Sequence, residues 1–160
     1  MNKTAVYHLM LEKLKIDLDV LQRAAQTAYE AATHEENVAE NKYDTLGLEA
    51  SYLATGQARR VEEIRQALKS CQAMTLGAFN AALGIQVGDL IHLEAENGGE
   101  QWLFLAPDGA GLKLSLDAQA VTVITARSPL GAALLGKQQD DEVMINVGAV
   151  VQGFTVCEVK

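Results

Sequence analysis

Between Leu11 and Cys71, apolar and small side chains recur twice over in alternating steps of three and four, a period that admits little except paired α-helices. The first run reads Leu11, Leu14, Leu18, Leu21, Ala25, Ala28 and Ala32. The second reads Leu46, Ala50, Leu53, Gln57, Val61, Ile64, Leu68 and Cys71, with one doubled step of four that has the form of a stutter. Only a short polar segment separates the runs, so the economical arrangement is an antiparallel coiled-coil hairpin in which each seam buries the other. Gly47 and Gly56 lie inside the second run, where each subtracts up to ~1 kcal/mol from helix stability.

Past Ala73 the period changes. Gly77, Gly84 and Gly88 lead into short β-like runs: Leu90 to Ala95, Gln101 to Leu105, Leu112 to Leu116, Val121 to Ala126, Val143 to Val147 and Val150 to Val159. Asn97-Gly98 and Asp108-Gly109 are turn signals between them. Ser128-Pro129 reads as a cap and first helical residue before a short helix over Leu130 to Leu135, which Gly136 stops. The expected class is α+β: a helical finger over residues 1–73, a linker over 74–84, and a small antiparallel sheet with one short helix over 85–160.

Charge is divided unevenly. The chain of 160 residues has net charge -8, and its 49% apolar content suffices for a real core. That charge argues against a surface that wraps nucleic acid, so contact with RNA is expected to be local. Residues 1–73 carry 9 basic and 11 acidic side chains (net -2), against 4 and 10 (net -6) in residues 74–160. No apolar run approaches the ~18 residues of a membrane helix, and no signal-peptide core follows Met1, so no membrane partner is expected and the expected compartment is the cytoplasm. Cys71 and Cys157 lack a CxxC partner and share no ligand spacing with His8, His34 or His92, which points to reduced structural thiols and away from a zinc site.

The sharpest local feature is the hairpin tip near 34–44, His34-Glu35-Glu36-Asn37-Val38-Ala39-Glu40-Asn41-Lys42-Tyr43-Asp44, with four carboxylates and one lysine in a single turn region. Magnesium takes a few hard oxygen ligands and keeps most of its waters, so one or two tip carboxylates can share an ion with a partner's site. Glu36 and Glu40 stand four apart, on one face of a helix. A plainer reading stays open, because Thr33 to Glu36 and Asn37 to Glu40 both have capping-box form. Arg59-Arg60 beside Glu62-Glu63 reads either as a basic patch on the stem, for an RNA end or an acidic protein surface, or as surface ion pairs. His34 reads as a ligand, as a pH-sensitive group, or as an exposed residue without a role.

These residues resemble the Gre-type transcript cleavage factors of bacterial RNA polymerase, a transcription elongation factor family. The family's tip reads Asp-Leu-Ser/Lys-Glu-Asn-Ala-Glu-Tyr, where this chain has Asn37-Val38-Ala39-Glu40-Asn41-Lys42-Tyr43. Its second motif, Ser-Pro, small and apolar residues, then Leu-Ile/Leu-Gly-Lys, matches Ser128-Pro129-Leu130-Gly131-Ala132-Ala133-Leu134-Leu135-Gly136-Lys137. The resemblance implies an FKBP-like fold for the C-terminal domain, which docks on the polymerase through Ser128, Pro129 and Leu130. It also implies a finger that enters the secondary channel. Glu40, helped by Glu36 or Asp44, would then assist a magnesium ion shared with the polymerase active site in cleaving backtracked RNA, the RNA end being touched only there. On this reading the chain is not itself an enzyme, has no cofactor of its own and acts as a monomer. Asn37 replaces the family's leading aspartate and one residue is missing before Tyr43. The helix before the tip is also about one turn, ~5.4 Å, shorter than usual. A regulator that occupies the channel without promoting cleavage is therefore the second reading. A coiled-coil oligomerisation or scaffold module and a peptidyl-prolyl isomerase are two further classes; an isomerase needs an aromatic-lined pocket, which Phe79, Trp102, Phe104 and Phe154 would have to supply.

Overall fold

The computed structural model describes residues 1–34 and 46–160. Two long helices, α1 (Lys3–Thr33) and α2 (Leu46–Gln72), precede six strands and a short helix: β1 (Leu90–Ala95), β2 (Glu100–Leu105), β3 (Lys113–Leu116), β4 (Gln119–Ile124), α3 (Pro129–Leu134), β5 (Glu142–Val147) and β6 (Val150–Val159). The architecture is α+β, a helical hairpin followed by a six-stranded, mostly antiparallel sheet. The chain divides into two compact units, Lys13–Leu68 and Met1–Glu12 with Lys69–Lys160.

In the helical unit Leu14, Ala28, Val61 and Ala67 are buried, while Leu18, Leu21, Ala25, Ala32, Gln57, Ile64 and Leu68 are half-buried along the same seams. One expected seam position is corrected. Leu53 is 56% exposed, and the half-buried residue is its neighbour Ala54. With Ala54 the seam reads 54, 57, 61, 64, 68, 71, an unbroken alternation of three and four over these residues, so the doubled step expected at 53–57–61 is absent there. A large apolar side chain drew the reading one residue off register, whereas the half-buried position is held by a small residue. The expected positions Leu46 and Ala50 have side chains outside the described residues.

In the sheet unit the strand order is β3-β4-β2-β1-β6-β5. Four of the five pairings are antiparallel, and β2 with β4 is parallel. The expected all-antiparallel sheet thus differs at one pair. The segment after β2 turns at Gly109 (φ 83) and Gly111 (φ 88), β3 runs back, and a tight hairpin returns β4 beside β2. That hairpin closes through Asp117 (φ 50) and Ala118 (φ 63), two consecutive left-handed residues as a type I′ turn requires.

Period-two alternation sorts the sheet into two faces. Ile91, Leu93, Leu103, Leu105, Val143 and Val156 form one core with Ile85 and with Leu134 of α3. On the other face Leu90, Phe104, Val121 and Val123 are fully buried, and along β1 and β2 this face turns polar through the stacked pair His92–Trp102 to the opposed Glu94 and Glu100. Val6, Met10 and Cys71 are fully buried in the same unit. The Tyr7 hydroxyl donates to the Cys71 carbonyl (3.1 Å), which sets the start of α1 against the end of α2 and makes the hairpin antiparallel. Lys3 Nζ donates to the Gly77 carbonyl (2.6 Å) and pairs with the buried Asp89 (3.2 Å). The stretch 74–84 contributes Phe79 to the core, and its Ala81 carbonyl accepts from Gln138 Nε2 (2.6 Å).

Candidate docking site

The segment Ser128–Lys137 forms a rigid platform on the sheet unit. Ser128 is the N-cap of α3 in an extended conformation, and Pro129 occupies the first helical turn, where its missing N–H costs nothing. The Ser128 hydroxyl is turned into the fold, donating to the Thr125 carbonyl (2.8 Å) and accepting from the Gly131 amide (3.0 Å). Gly131 is dictated by space, since a Cβ there would run into the Thr125 carbonyl. Leu134 anchors the helix in the core at 0% exposure.

The far end is fixed equally well. Gly136 (φ 78) adopts the left-handed conformation that stops the helix. Its amide donates to the Ile85 carbonyl (2.9 Å) and the Ile85 amide donates to the Lys137 carbonyl (2.9 Å), so Gly136-Lys137 is clipped to a core residue. Gly84 (φ 72) lies against the Gly136 backbone, where a Cβ would collide with the Gly136 carbonyl.

The motif's most distinctive residues therefore hold the platform, and its outward face belongs to others. Pro129 and Ala132 are exposed and Leu130 is half-buried. Leu135 is 38% exposed and Leu83, across the Gly84–Gly136 contact, is 60% exposed. Arg127, immediately before the cap, is exposed and pairs with Asp108 (3.3 Å). Sequence reading missed Leu83, Leu135 and Arg127. Leu83 lies far away along the chain, and only the backbone contact of Gly84 with Gly136 could have pointed to it.

The tip residues Glu36, Glu40 and Asp44, together with Asn37, lie outside the described residues. Among the described residues no group of three or more His, Cys, Asp or Glu side chains is arranged to hold a metal ion. On the stem the ion-pair reading is corrected in its partners. Glu62 pairs with Arg65 (2.7 Å) and accepts from Gln66 (2.9 Å), and Gln66 first, then Arg65, holds the Glu62 carboxyl below the usual carboxylate range. Arg59 and Arg60 are exposed and form no ion pair among the described residues. An arginine three residues towards the C-terminus outcompetes those before it.

A cleft of about 500 Å³ opens beyond the β1–β2 turn, lined among others by Glu96, Asn97, Glu100, Gln152 and Phe154. Phe154 is the one aromatic side chain among the described residues lining it, and Phe104 is fully buried. An aromatic proline cradle is thus not assembled at this cleft. No helix among the described residues is long and apolar enough to cross a membrane.

Fold and platform together define a two-part α+β protein, a helical hairpin joined to a sheet unit with a capped, exposed apolar segment. No family model matches the chain, and no curated protein is significantly similar in sequence. Among solved structures it is similar to Gfh1 of Thermus aquaticus, at 21% identity with 92% of each chain covered and a TM-score of 0.38. It is also similar to the GreA factor homolog Gfh1 of Thermus thermophilus, at 20% identity with 94% of each chain covered and a TM-score of 0.37. A third neighbour is the prokaryotic transcription elongation factor GreA/GreB of Nitrosomonas europaea, at 17% identity, covering 70% of this chain and 91% of that one with a TM-score of 0.37. At such identities and scores these are likenesses only, and no residue's role passes from them to this chain.

Proposed function

We propose that the protein is a regulator of transcript elongation that docks on bacterial RNA polymerase through the Ser128–Leu135 platform. In this reading the acidic hairpin segment is presented to the secondary channel. The observation that carries the reading is the platform itself: a helix of six residues capped by Ser128 at its start, followed by the left-handed Gly136 and anchored by Leu134, with Pro129 and Leu135 turned to solvent. Rigid, preorganised apolar residues bind without a large ordering cost. Ser128 acts as a positioning residue, because both hydrogen-bonding functions of its hydroxyl are taken up inside the fold.

Glu40, with Glu36 or Asp44, would contribute carboxylate oxygens to a magnesium ion that belongs to the polymerase, where a metal ion stabilises developing charge on phosphate oxygens. The polymerase performs the hydrolysis and the protein acts as a monomeric, cytoplasmic accessory. Arg59 and Arg60, uncommitted among the described residues, supply positive charge on the stem for an acidic protein surface or an RNA end. Asn37 supports the second reading, a channel-occupying regulator without cleavage, since an amide cannot provide an anionic ligand.

Purified backtracked polymerase complexes in magnesium test this. Wild type, Glu40→Ala and a Pro129→Ala/Leu135→Asp double variant are compared for binding and for RNA shortening. Binding with shortening that Glu40→Ala abolishes makes the protein a cleavage factor. Binding without shortening makes it a channel occupant. Absence of binding by a folded wild type overturns the docking reading, and undiminished binding by the double variant moves the interface elsewhere.

A further inference from the structure

We propose that the open edge of the sheet at β5 docks an extended segment of a partner protein, one with apolar residues at alternate positions and a basic residue where it passes Asp140–Glu142. The sheet has two edges, β3 and β5. Natural edges are guarded by shortness, lysine or proline, because unpaired backbone groups template further strands. The β3 edge is four residues long and begins with Lys113. The β5 edge, Glu-Val-Met-Ile-Asn-Val, is longer and contains no lysine, arginine or proline.

The ladder shows which groups are open. The Val156 amide donates to the Asp141 carbonyl (2.9 Å) and the Asp140 amide donates to the Val156 carbonyl (2.7 Å), and the register runs without a slip to Val147 opposite Val150. Antiparallel alternation therefore turns the backbone N–H and C=O of Glu142, Met144 and Asn146 away from β6, out of the sheet. Beside them Met144 (56%), Val147 (51%), Val150 (61%) and Val151 (56%) are exposed. An added strand would gain main-chain hydrogen bonds and cover apolar side chains on both faces of this hairpin, the recognition mode of strand addition.

Charge selects the occupant. Three consecutive acids stand at the start of the strand; the Asp141 carboxylate accepts from the Gln138 amide (2.8 Å), while Asp140 and Glu142 are exposed, and residues 74–160 carry 4 basic against 10 acidic side chains. A basic segment is complementary here, whereas a second copy of this chain, net -8, brings the same sign. The proposal uses no residue of α3 and stands independently of the polymerase reading.

The test uses the full chain and the synthetic peptide Lys-Lys-Val-Thr-Val-Thr-Val, with amide hydrogen exchange read by NMR. The amides of Glu142, Met144 and Asn146 are expected to slow on the order of tenfold when peptide is added. The effect disappears with a peptide N-methylated at alternate residues, and in Met144→Pro, which removes one outward N–H while Trp102 fluorescence reports whether the sheet is folded. Unchanged exchange at millimolar peptide overturns the proposal. Equal protection by Glu-Glu-Val-Thr-Val-Thr-Val overturns the basic occupant, and protection that grows with protein concentration alone replaces it with a second copy.

Discussion

The helical unit and the sheet unit are built from equally periodic sequences, yet they bury very different amounts of side chain. In the sheet unit Phe104, Leu90, Leu103, Leu105, Ile91 and Leu134 are all at or below 2% exposure, and individual backbone atoms dictate residue identity, as at Gly131. In the helical unit the seam is largely alanine or half-buried leucine, and Ile16, Val20, Tyr52 and Leu53 face solvent. A two-helix seam removes one stripe per helix from water, while the centre of the sheet buries apolar side chains on both of its faces. The lesson is that the sheet unit tolerates little and the hairpin tolerates much.

The strongest way to break that contrast is Gly131→Ala. A Cβ cannot fit against the Thr125 carbonyl, and displacing α3 also disturbs the Ser128 cap, so a loss of about 3 kcal/mol is expected in chemical denaturation followed by Trp102 fluorescence. A tolerated alanine would show that the platform is softer than its packing indicates. In the hairpin the expected sign reverses. The buried Gln57 Oε1 has no hydrogen-bond partner among the described residues, so Gln57→Leu is expected to stabilise the helices by about 1 kcal/mol, read by far-UV circular dichroism.

Smaller effects sharpen the comparison by asking for opposite exchanges. A Cβ added at Gly56 meets nothing within 4 Å, and Gly56→Ala is expected to gain roughly 0.5–1 kcal/mol in the hairpin. Ala118 (φ 63) sits in the left-handed region, and Ala118→Gly relieves ~1–2 kcal/mol of strain against the added unfolded-state entropy, a net gain of about 0.5 kcal/mol in the sheet. Both are checked by thermal unfolding.

The smallest expected effects lie at the ends of the pH scale. Burial pushes the Cys71 thiol above its ordinary value of 9.0. The unfolded chain ionises first, so this stabilisation is complete below that value and is lost as pH rises past it. The Glu62 carboxyl is held below its ordinary 4.5, so its contribution is present above that value and fades as pH falls. Denaturant midpoints across pH should therefore show the sheet unit weakening on the alkaline side, an effect that Cys71→Ala reduces, and the hairpin weakening on the acid side.

Much of this architecture is legible in the chain because local chemistry forces it. Asn97-Gly98 supplies a left-handed residue between β1 and β2, Ser128-Pro129 starts α3, and Gly136 ends it. What escapes reading is set by tertiary partners. The Asp117-Ala118 turn has no glycine to announce it, and the parallel β2–β4 pairing follows from where that hairpin lands. Ala54 replaces Leu53 in the seam, because the heptad phase set by Gln57, Val61 and Ile64 falls on residue 54 whatever its size. In the candidate site the motif was visible, but its division of labour was not. Ser128 looks like a contact residue until Thr125 and Gly131 are seen to consume its hydroxyl. Glu36, Glu40 and Asp44 rest on sequence alone.

The strand order has a consequence in time. β6 lies between β1 and β5, although it follows both in the chain. A nascent chain that has not yet yielded Val150–Val159 has β1 with one neighbour and β5 with none, so two strands wait with open edges while the helical seams are already complete. Ribosomal pausing late in synthesis would prolong that interval, and it is there that chaperone engagement should be concentrated.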